Sequence, residues 1–522
     1  MYQTKAKIYD GLAILICLSF GLYAMSIQQF TVDSWTLFDL SKTFFGGDKF
    51  YSTNIVRQYA DQEVLARSFP FLFPFLLATI NLVLDWGIEA SIVVNSIALL
   101  MIYFLFKKIL SEKSMPPVAA FCCFILLLSP SAFLEEAQAG RTIPLTICLL
   151  LYVYDRLCST DKGPRSMAFT AFLIGLLSQL RFDMLPVSAI GILCLLFGLK
   201  SSKHRFFAGL GYILGICPWV IYSWINFQKA WASDAGAQSW YAFHYYTLDY
   251  FTSKDSLPTL FSHPKDWLVL TFNQVFEASK NFKIFIFALP LVVFVIWRIY
   301  FDSKHPLKIS KVFQNVRTVD NLIWILPLTA HAALILKSGF YQPRYFSFEL
   351  VAFLIVLAVL IGKYWDNSRA SWAIFFGSAG LFFVSAGYHV ILSPHNSVSI
   401  KSIARGSALL PEEMAVHDLL LKESVDARSM LVLDDQIYYA RFATLTGTRA
   451  FPSPSNFGDC TVVNLIQNYR INYVYGESSF ELSKFYRLES LGHRVRRIDR
   501  SRILSQDFAN PCNQTPLVRT LF

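Results

Sequence analysis

The sequence predicts a polytopic α-helical membrane protein with about eleven spanning helices and a C-terminal extracytoplasmic α/β domain. Of its 522 residues, 54% are hydrophobic and 16% are charged, and the mean hydropathy is +0.43. A soluble domain carries about 25% charged residues, so this composition indicates many apolar segments. A polar block, about residues 392–522, follows the last apolar run. Its change of periodicity indicates a separate domain.

About eleven apolar segments approach the length of roughly 20 residues that a spanning helix needs. They are Gly11–Gln29, Ile88–Phe106, Pro117–Leu134, Ala137–Tyr154, Met167–Leu180, Met184–Leu199, Phe206–Ile225, Phe282–Tyr300, Asn321–Leu336, Tyr345–Ile361 and Ser371–Tyr388. The further stretch Phe69–Trp86 contains two prolines. If it does not cross, all basic clusters between the spans fall on one side, as the positive-inside rule requires. We therefore predict that it is an interfacial or re-entrant helix.

This topology puts the N-terminus in the cytoplasm and the C-terminal domain outside. The membrane domain then covers residues 1–391, with residues 30–87 as its first outer segment, and the outer domain covers residues 392–522. The basic residues lie in short clusters between apolar runs. We therefore interpret the net charge of +10 as a membrane-orientation signal and expect no nucleic-acid partner.

The polar C-terminal block predicts a small α/β domain. MLVLDDQIYYARFATL is typical of a buried strand and a short helix, and VVNLIQNYRINYVYGES of a helix and a strand. The block has no glycine-rich phosphate loop, so a lid or an acceptor-docking role is favoured over a second active site. Cys460 and Cys512 lie in it and are a natural disulfide pair if the domain is outside the cytoplasm.

Three carboxylates follow the first apolar run closely. Asp33 is the first acidic residue after that run, and either a general base at the membrane surface or an ordinary solvated residue fits the pattern. Asp39 lies six residues on, so it does not share a helical face with Asp33. Asp48 lies in a glycine turn. We therefore expect Asp33 to be the functional carboxylate if the segment has one.

A second acidic site lies between two predicted spans. Glu135 and Glu136 end the run LLLSPSAFLEE, and Arg141 opens the next run. The sequence predicts a very short outer turn here, with these side chains near the outer interface. They fit interfacial anchors and functional groups equally well.

Arg181 and Asp183 lie at the tip of a short hairpin. The leg Met167–Leu180 reaches roughly 21 Å at 1.5 Å per residue, which is less than the hydrocarbon core of about 30 Å. Arg181 is therefore predicted at membrane depth, where it needs an anionic partner. That partner is either a nearby carboxylate or a lipid phosphate, which matches the guanidinium fork.

Two further candidates lie at the outer ends of late spans. Arg344 and Tyr345, in SGFYQPRYFSFE, are either a snorkelling anchor or a phosphate site. His389, in AGYHVILSPH, is either a structural residue or an assisting group.

Together these segments resemble the GT-C-type glycosyltransferases, integral membrane enzymes that use polyprenyl-phosphate-linked sugars. VDSWTLFDLSKTFFGGDKFY is similar to their first-loop motif, RSFPFLFPFLLATI to the interfacial helix after it, and QLRFDMLPV to a hairpin tip. GICPWVIYSWINF and YQPRYFSFE are similar to two later helices of the class. The C-terminal domain is like that of the aminoarabinose and mannosyl transferases of this class, which also contains arabinofuranosyl transferases.

The resemblance implies transfer of a sugar, with inversion, from a polyprenyl-phosphate donor to a hydroxyl or amine of a glycan, lipid or protein. In the resembling class, the position of Asp33 is that of the general base, and Glu135 or Glu136 would be an acceptor-side acid. The donor-phosphate site would consist of Arg181, Arg344 and Tyr345. Further candidates are Arg141, Asp39 and His389. It implies contact with membrane lipids and location in a bacterial inner membrane. Val32 stands where the class often has a second acidic residue, so no metal ligand is assigned and a divalent metal stays open. A lipid-linked glycan flippase and an O-antigen-type polymerase or ligase are the alternatives.

Overall fold

A computed structural model shows a helical bundle followed by a small sheet. It describes residues 2–28, 30–46, 50–55, 69–158, 163–232, 279–300, 319–338, 343–396, 409–422, 429–432, 438–451, 470–476 and 486–503, with isolated positions between them. The predicted cysteines Cys460 and Cys512 lie outside the described residues, so their pairing stays a prediction.

The first part of the chain is helical. Its helices are α1 (Tyr2–Ile27), α2 (Val32–Lys42), α3 (Leu72–Leu84), α4 (Ala90–Glu112), α5 (Pro117–Leu128), α6 (Ser131–Gln138), α7 (Ile143–Cys158), α8 (Pro164–Leu180), α9 (Leu185–Gly198), α10 (Ser202–Phe227), α11 (Leu289–Tyr300), α12 (Val319–Ser338), α13 (Ser347–Ile361) and α14 (Ser368–Asn396). In the described part of the chain, 5 helices are long and apolar enough to cross a membrane, or 6 if α5 and α6 form one broken span. The chain is an integral membrane protein, and the larger count of about eleven spans stays a prediction.

The apolar core of the bundle surrounds α5. Every residue of this helix from Val118 to Leu128 is buried, as expected for a helix that is apolar on all sides. It packs against α1, α4, α13 and α14. This core fixes α13, which begins just after Arg344 and Tyr345.

Helices α8 and α10 pack unusually close together because glycines line their contact. A Cβ atom on Gly211 would collide with the carbonyl oxygen of Ala168, and one on Gly215 would lie 2.5 Å from that of Phe172. Small residues allow such backbone approach in membrane helices. The contact supports the hairpin formed by α8 and α9, which turns at Arg181–Met184 through one short 3₁₀ turn.

The chain bends by 82° between α5 and α6. Pro130 adopts φ −61° and ψ 122°, an extended conformation that precedes α6 and separates it from α5. Glu135 and Glu136 therefore lie on a short helix of 8 residues. The prediction that they occupy a very short turn after one continuous span is wrong, because the proline interrupts that span.

The first outer segment contains α2 and α3. Helix α3 forms within the stretch Phe69–Trp86 and has 13 residues, which gives a length of about 20 Å. This is shorter than a hydrocarbon core of about 30 Å. Its interfacial or re-entrant placement remains a prediction that this length favours.

The C-terminal part confirms the small sheet that the sequence predicts. It contains α15 (Pro411–Lys422), α16 (Tyr439–Thr446), β1 (Ser429–Val432), β2 (Arg449–Phe451), β3 (Tyr473–Tyr475), β4 (Tyr486–Gly492) and β5 (Val495–Ile503). The strand order is β2-β1-β3-β5-β4. β1 pairs in parallel with β2 and β3, while β5 is antiparallel to β3 and β4. The hairpin of β4 and β5 was not predicted, because its polar sequence lacks a clear alternating pattern.

Candidate active site

Charged side chains that are far apart in the sequence meet in one cluster, which we call the charged cluster. Its members are Asp33 of α2, Glu136 of α6, Arg141 before α7, Arg181 and Asp183 of the hairpin tip, His331 of α12, Arg344 and Tyr345 before α13, and Glu349 of α13. Most of the site residues predicted from the sequence are among them.

Glu136 is the centre of one half of the charged cluster. Its Oε1 atom accepts a hydrogen bond of 2.6 Å from Arg344 Nη1 and lies 3.0 Å from Arg141 Nη2. The Glu136 side chain is 2% exposed. A buried carboxylate with two close guanidinium partners is well compensated, and it fixes the positions of both arginines.

Asp33 lies beside the same two arginines but is less buried. Its Oδ2 atom is 3.7 Å from Arg141 Nη1 and 3.9 Å from Arg344 Nη2, and its side chain is 20% exposed. These separations are ion-pair distances but are too long for direct hydrogen bonds. The carboxylate is therefore held near two cations while it stays reachable from outside the cluster.

The start of α2 explains why Asp33 is well positioned. Thr31 caps the helix: its hydroxyl accepts from the Ser34 amide, and its own amide donates to the Ser34 hydroxyl. That hydroxyl also donates to the carbonyl oxygen of Ala139 at 2.5 Å, which joins α2 to the segment after α6. Asp33 occupies the first turn, where the helix dipole stabilises a negative charge.

Arg181 forms the other half of the charged cluster with Asp183. The carboxylate accepts from Nε at 2.9 Å and from Nη2 at 2.6 Å, and Nη1 donates to Thr142 Oγ1 at 3.2 Å. Asp183 is therefore the carboxylate that pairs with Arg181, and the alternative of a lipid phosphate stays a prediction. Each terminal nitrogen carries a second N–H, which gives the guanidinium further donor capacity.

Tyr345 contacts both arginines of the predicted phosphate site. The guanidinium carbons of Arg181 and Arg344 each lie 5.2 Å from the centroid of the Tyr345 ring. Both distances are within the range of cation–π contacts. The ring is therefore a shared contact of the two positive groups.

Sequence reasoning did not find His331 or Glu349. His331 is fully buried, its Nδ1 is 2.7 Å from Glu349 Oε1, and its Nε2 is 3.8 Å from Asp183 Oδ2. It therefore links α12 and α13 to the hairpin tip. The usable signal was an ionisable residue inside the apolar helix sequence LTAHAALIL, since such residues usually have a functional or pairing role.

Three residues predicted from the sequence are not members of the charged cluster: Asp39, Glu135 and His389. Asp39 is 4% exposed and accepts hydrogen bonds from Thr53 Oγ1 at 2.9 Å and the Asn54 amide at 2.8 Å. Burial raises the pKa of the Asp39 carboxyl, although these hydrogen bonds and the charge of Lys42 oppose that shift. Glu135 is exposed on α6 next to Glu136. His389 is part of α14, and its side chain is outside the described atoms.

No ligand set for a divalent metal occurs among the described residues, where no group of three or more His, Cys, Asp or Glu side chains converges suitably. In the charged cluster Asp33 meets Arg141, Asp183 meets Arg181, and Glu349 meets His331. Hard divalent cations prefer several oxygen ligands. The described part of the charged cluster offers no such set of oxygen ligands, and a divalent metal stays open.

The fold of this chain is similar to the folds of a solved oligosaccharyltransferase and of ArnT. No family model matches the sequence, and no curated protein matches it. The chain is similar to the solved oligosaccharyltransferase of Archaeoglobus fulgidus in complex with zinc and sulfate, with a TM-score of 0.53, 13% identity, and coverage of 89% of this chain and 67% of that chain. It is also similar to ArnT from Cupriavidus metallidurans bound to undecaprenyl phosphate, with a TM-score of 0.52 and 10% identity. That match covers 96% of this chain and 98% of the ArnT chain. The resemblance seen in the sequence is therefore confirmed at the level of the fold.

Proposed function

We propose that this protein is a glycosyltransferase that moves a sugar from a polyprenyl-phosphate donor to a hydroxyl or amine of a glycan, lipid or protein acceptor. The shared fold supports this class of reaction, because one similar structure holds undecaprenyl phosphate. The observation that carries the proposal is the position of Asp33, whose Oδ2 lies 3.7 Å from Arg141 and 3.9 Å from Arg344. A reachable base next to cations is the arrangement that displacement of a phosphate leaving group requires.

The proposed reaction is a single displacement at the anomeric carbon. The acceptor oxygen or nitrogen attacks that carbon while Asp33 takes the acceptor proton. A new carbon–oxygen or carbon–nitrogen bond forms, and the bond from the anomeric carbon to the phosphate oxygen breaks. Its electron pair leaves with the polyprenyl phosphate, and the configuration inverts. Asp33 contributes mainly by its fixed position, since an ordinary aspartate has a pKa near 3.9 and is a weak base.

Arg181 and Arg344 bind the donor phosphate in this proposal. Both guanidinium carbons lie 5.2 Å from the centroid of the Tyr345 ring. An arginine fork matches the geometry of phosphate oxygens, and its charge stabilises the negative charge that builds up during departure. Tyr345 then sets the spacing between the two cations, and Asp183 and Glu136 set their orientations.

We assign different roles to the two acidic residues of α6. Glu136 is 2% exposed and contacts two arginines, so it orients these cations. Glu135 is exposed beside it and is the better candidate for contact with the acceptor. Arg141 completes the proposed base site, because it approaches Asp33 and Glu136 with different nitrogen atoms.

We further propose that the reaction takes place on the outer face of a bacterial inner membrane. The positive-inside rule supports about eleven spans with a cytoplasmic N-terminus and an outer C-terminal domain. Asp33 then belongs to an outer segment, and membrane lipids surround the donor.

A transfer assay in proteoliposomes tests the function. The purified protein is given undecaprenyl-phosphate donors whose sugar is radiolabelled. It is also given a panel of glycan, lipid and peptide acceptors. We expect covalent transfer by the wild type and a loss of at least about a hundredfold in kcat for Asp33→Asn, because a positioned general base contributes roughly 10²–10⁴-fold.

The matched control is Asp85→Asn. Asp85 ends α3 with φ 47°, a conformation that asparagine also tolerates, and it is exposed. This variant is expected to transfer sugar at the wild-type rate. Movement of intact donor across the bilayer without covalent transfer would instead identify a flippase. A folded Asp33→Asn protein with full transfer activity would refute the base assignment.

A further inference from the structure

The C-terminal sheet touches the membrane part at the segment that follows Asp33. The amide of Ala450, in edge strand β2, donates to the carbonyl oxygen of Asn54 at 3.2 Å, and Ile55 forms a parallel bridge with Ala450. The first outer segment thereby extends the edge of the sheet. This backbone contact joins two parts of the chain that are far apart in the sequence.

Lys42, the last residue of α2, makes a second connection. Its ammonium group donates to the carbonyl oxygen of Thr444 at 2.7 Å. Thr444 lies in the last turn of α16, which ends at Thr446. Carbonyl groups at a helix C-terminus lack helical partners and attract cations. The C-terminal end of α2 is therefore tied to the C-terminal end of α16.

Helix α2 also belongs to a buried apolar cluster. Trp35 and Phe38 of α2 pack in one group with Ile55 and with Ala440 and Ala443 of α16. Trp35 is fully buried there. Burial of a large aromatic side chain between two elements resists their relative movement.

Within the first outer segment, Asp39 connects α2 to the residues that contact the sheet. Through its hydrogen bonds with Thr53 and the Asn54 amide, it fixes the residues that meet Ala450 to the middle of α2. Helix α2 is thus held at its start by the Ala139 contact and along its remaining length by the C-terminal part.

We propose that the C-terminal domain positions Asp33 by bracing α2, and that Lys42 is the positioning residue of this brace. The inference rests on the proposed glycosyltransferase function. It gives the domain a role in the chemical step, in addition to the lid or acceptor-docking role that its sequence suggests. Bracing matters because a displacement of a catalytic group by about 1 Å can lower a rate roughly a hundredfold.

Lys42→Met tests the brace. The change removes the ammonium group and keeps the apolar stem, and Lys42 is an exposed residue, so we expect a folded protein. The kcat of transfer is expected to fall by roughly tenfold or more, with unchanged KM values for donor and acceptor, because α2 and Asp33 lose one restraint. Hydrogen exchange of residues 32–42 is expected to speed up. Lys42→Arg retains a donor and is expected to restore most of the rate.

Lys113→Met serves as the matched control, since Lys113 is an exposed residue at the end of α4. We expect it to behave as the wild type. Ala450→Pro gives a second test, because proline removes the amide that donates to Asn54, so the kcat of transfer is expected to fall as in Lys42→Met. If Lys42→Met raises only the acceptor KM, or leaves both kinetics and exchange unchanged, the bracing role is refuted. Absence of transfer by the wild-type protein would refute the proposed function, whereas faster exchange of residues 32–42 in Lys42→Met would still support the brace.

Discussion

At the scale of single residues, the charged cluster alternates acids and bases. Glu136 lies between Arg141 and Arg344, and Asp183 lies between Arg181 and His331. Each carboxylate compensates cations in a setting where an unpaired charge is costly. The same carboxylates hold the guanidinium groups in fixed orientations. In the proposed reaction, this arrangement preorganises positive charge for the donor phosphate.

His331 is expected to support the hairpin tip that carries Arg181. In His331→Ala, Glu349 and Asp183 lose a buried partner, and loss of one member of such a pair costs about 3–5 kcal/mol. Addition of Glu349→Gln removes one of the orphaned charges. The double variant should therefore recover part of the lost stability, with a coupling of roughly 0.5–3 kcal/mol.

Thermal unfolding in detergent measures this coupling, and the donor KM reports on the Arg181 site. We expect the donor KM to rise in His331→Ala. The control is His204→Ala, a change near the start of α10 and outside the charged cluster. Strictly additive effects of His331→Ala and Glu349→Gln would contradict the proposed link.

At the scale of elements, helix contacts decide where the side chains of the charged cluster meet. The hairpin tip reaches the charged cluster because α8 rests directly on α10, backbone against backbone. In the same way, the bend at Pro130 turns α6 so that Glu136 faces two arginines. Glycine and proline thus set the site geometry without contributing a functional group.

The contact of α8 with α10 predicts a sharp difference between neighbouring glycines. Gly211→Ala and Gly215→Ala force a methyl group against the backbone of α8, and such overpacking costs about 1–3 kcal/mol. Gly209→Ala is the control on the same helix, since a Cβ there meets nothing within 4 Å. It should be neutral or stabilising by about 0.5–1 kcal/mol, because alanine favours a helix.

Melting temperatures in detergent would show this difference, and donor KM values would show whether the hairpin tip has moved. Equal effects of all three substitutions would argue against the close helix contact. A destabilised protein with an unchanged donor KM would show that the α8–α10 contact stabilises the bundle without determining the position of Arg181.

At the scale of the whole molecule, local signals predicted part of the candidate site, and tertiary contacts determined the rest of the charged cluster. Asp33 and Arg181 were predictable because each breaks a local rule, as the first acid after an apolar run and as an arginine at the tip of a short hairpin. The link from His331 to Glu349 was not, since 18 residues separate them and only the packing of α12 against α13 brings them together. The contact of Lys42 with α16 likewise depends on where the C-terminal part folds back.

The orientation of the chain in the membrane can be tested by labelling introduced cysteines. The positive-inside rule puts the C-terminal domain outside and the loop after α4 inside. Ser490→Cys places a thiol on exposed β4, and Ser111→Cys places one at the exposed end of α4. In sealed right-side-out vesicles, a membrane-impermeant maleimide should label Ser490→Cys above the wild-type background. Ser111→Cys should react only after the membrane is permeabilised. The reverse pattern would put the C-terminal sheet, and Asp33 with it, on the cytoplasmic side, because the two parts are joined through Lys42 and Asn54.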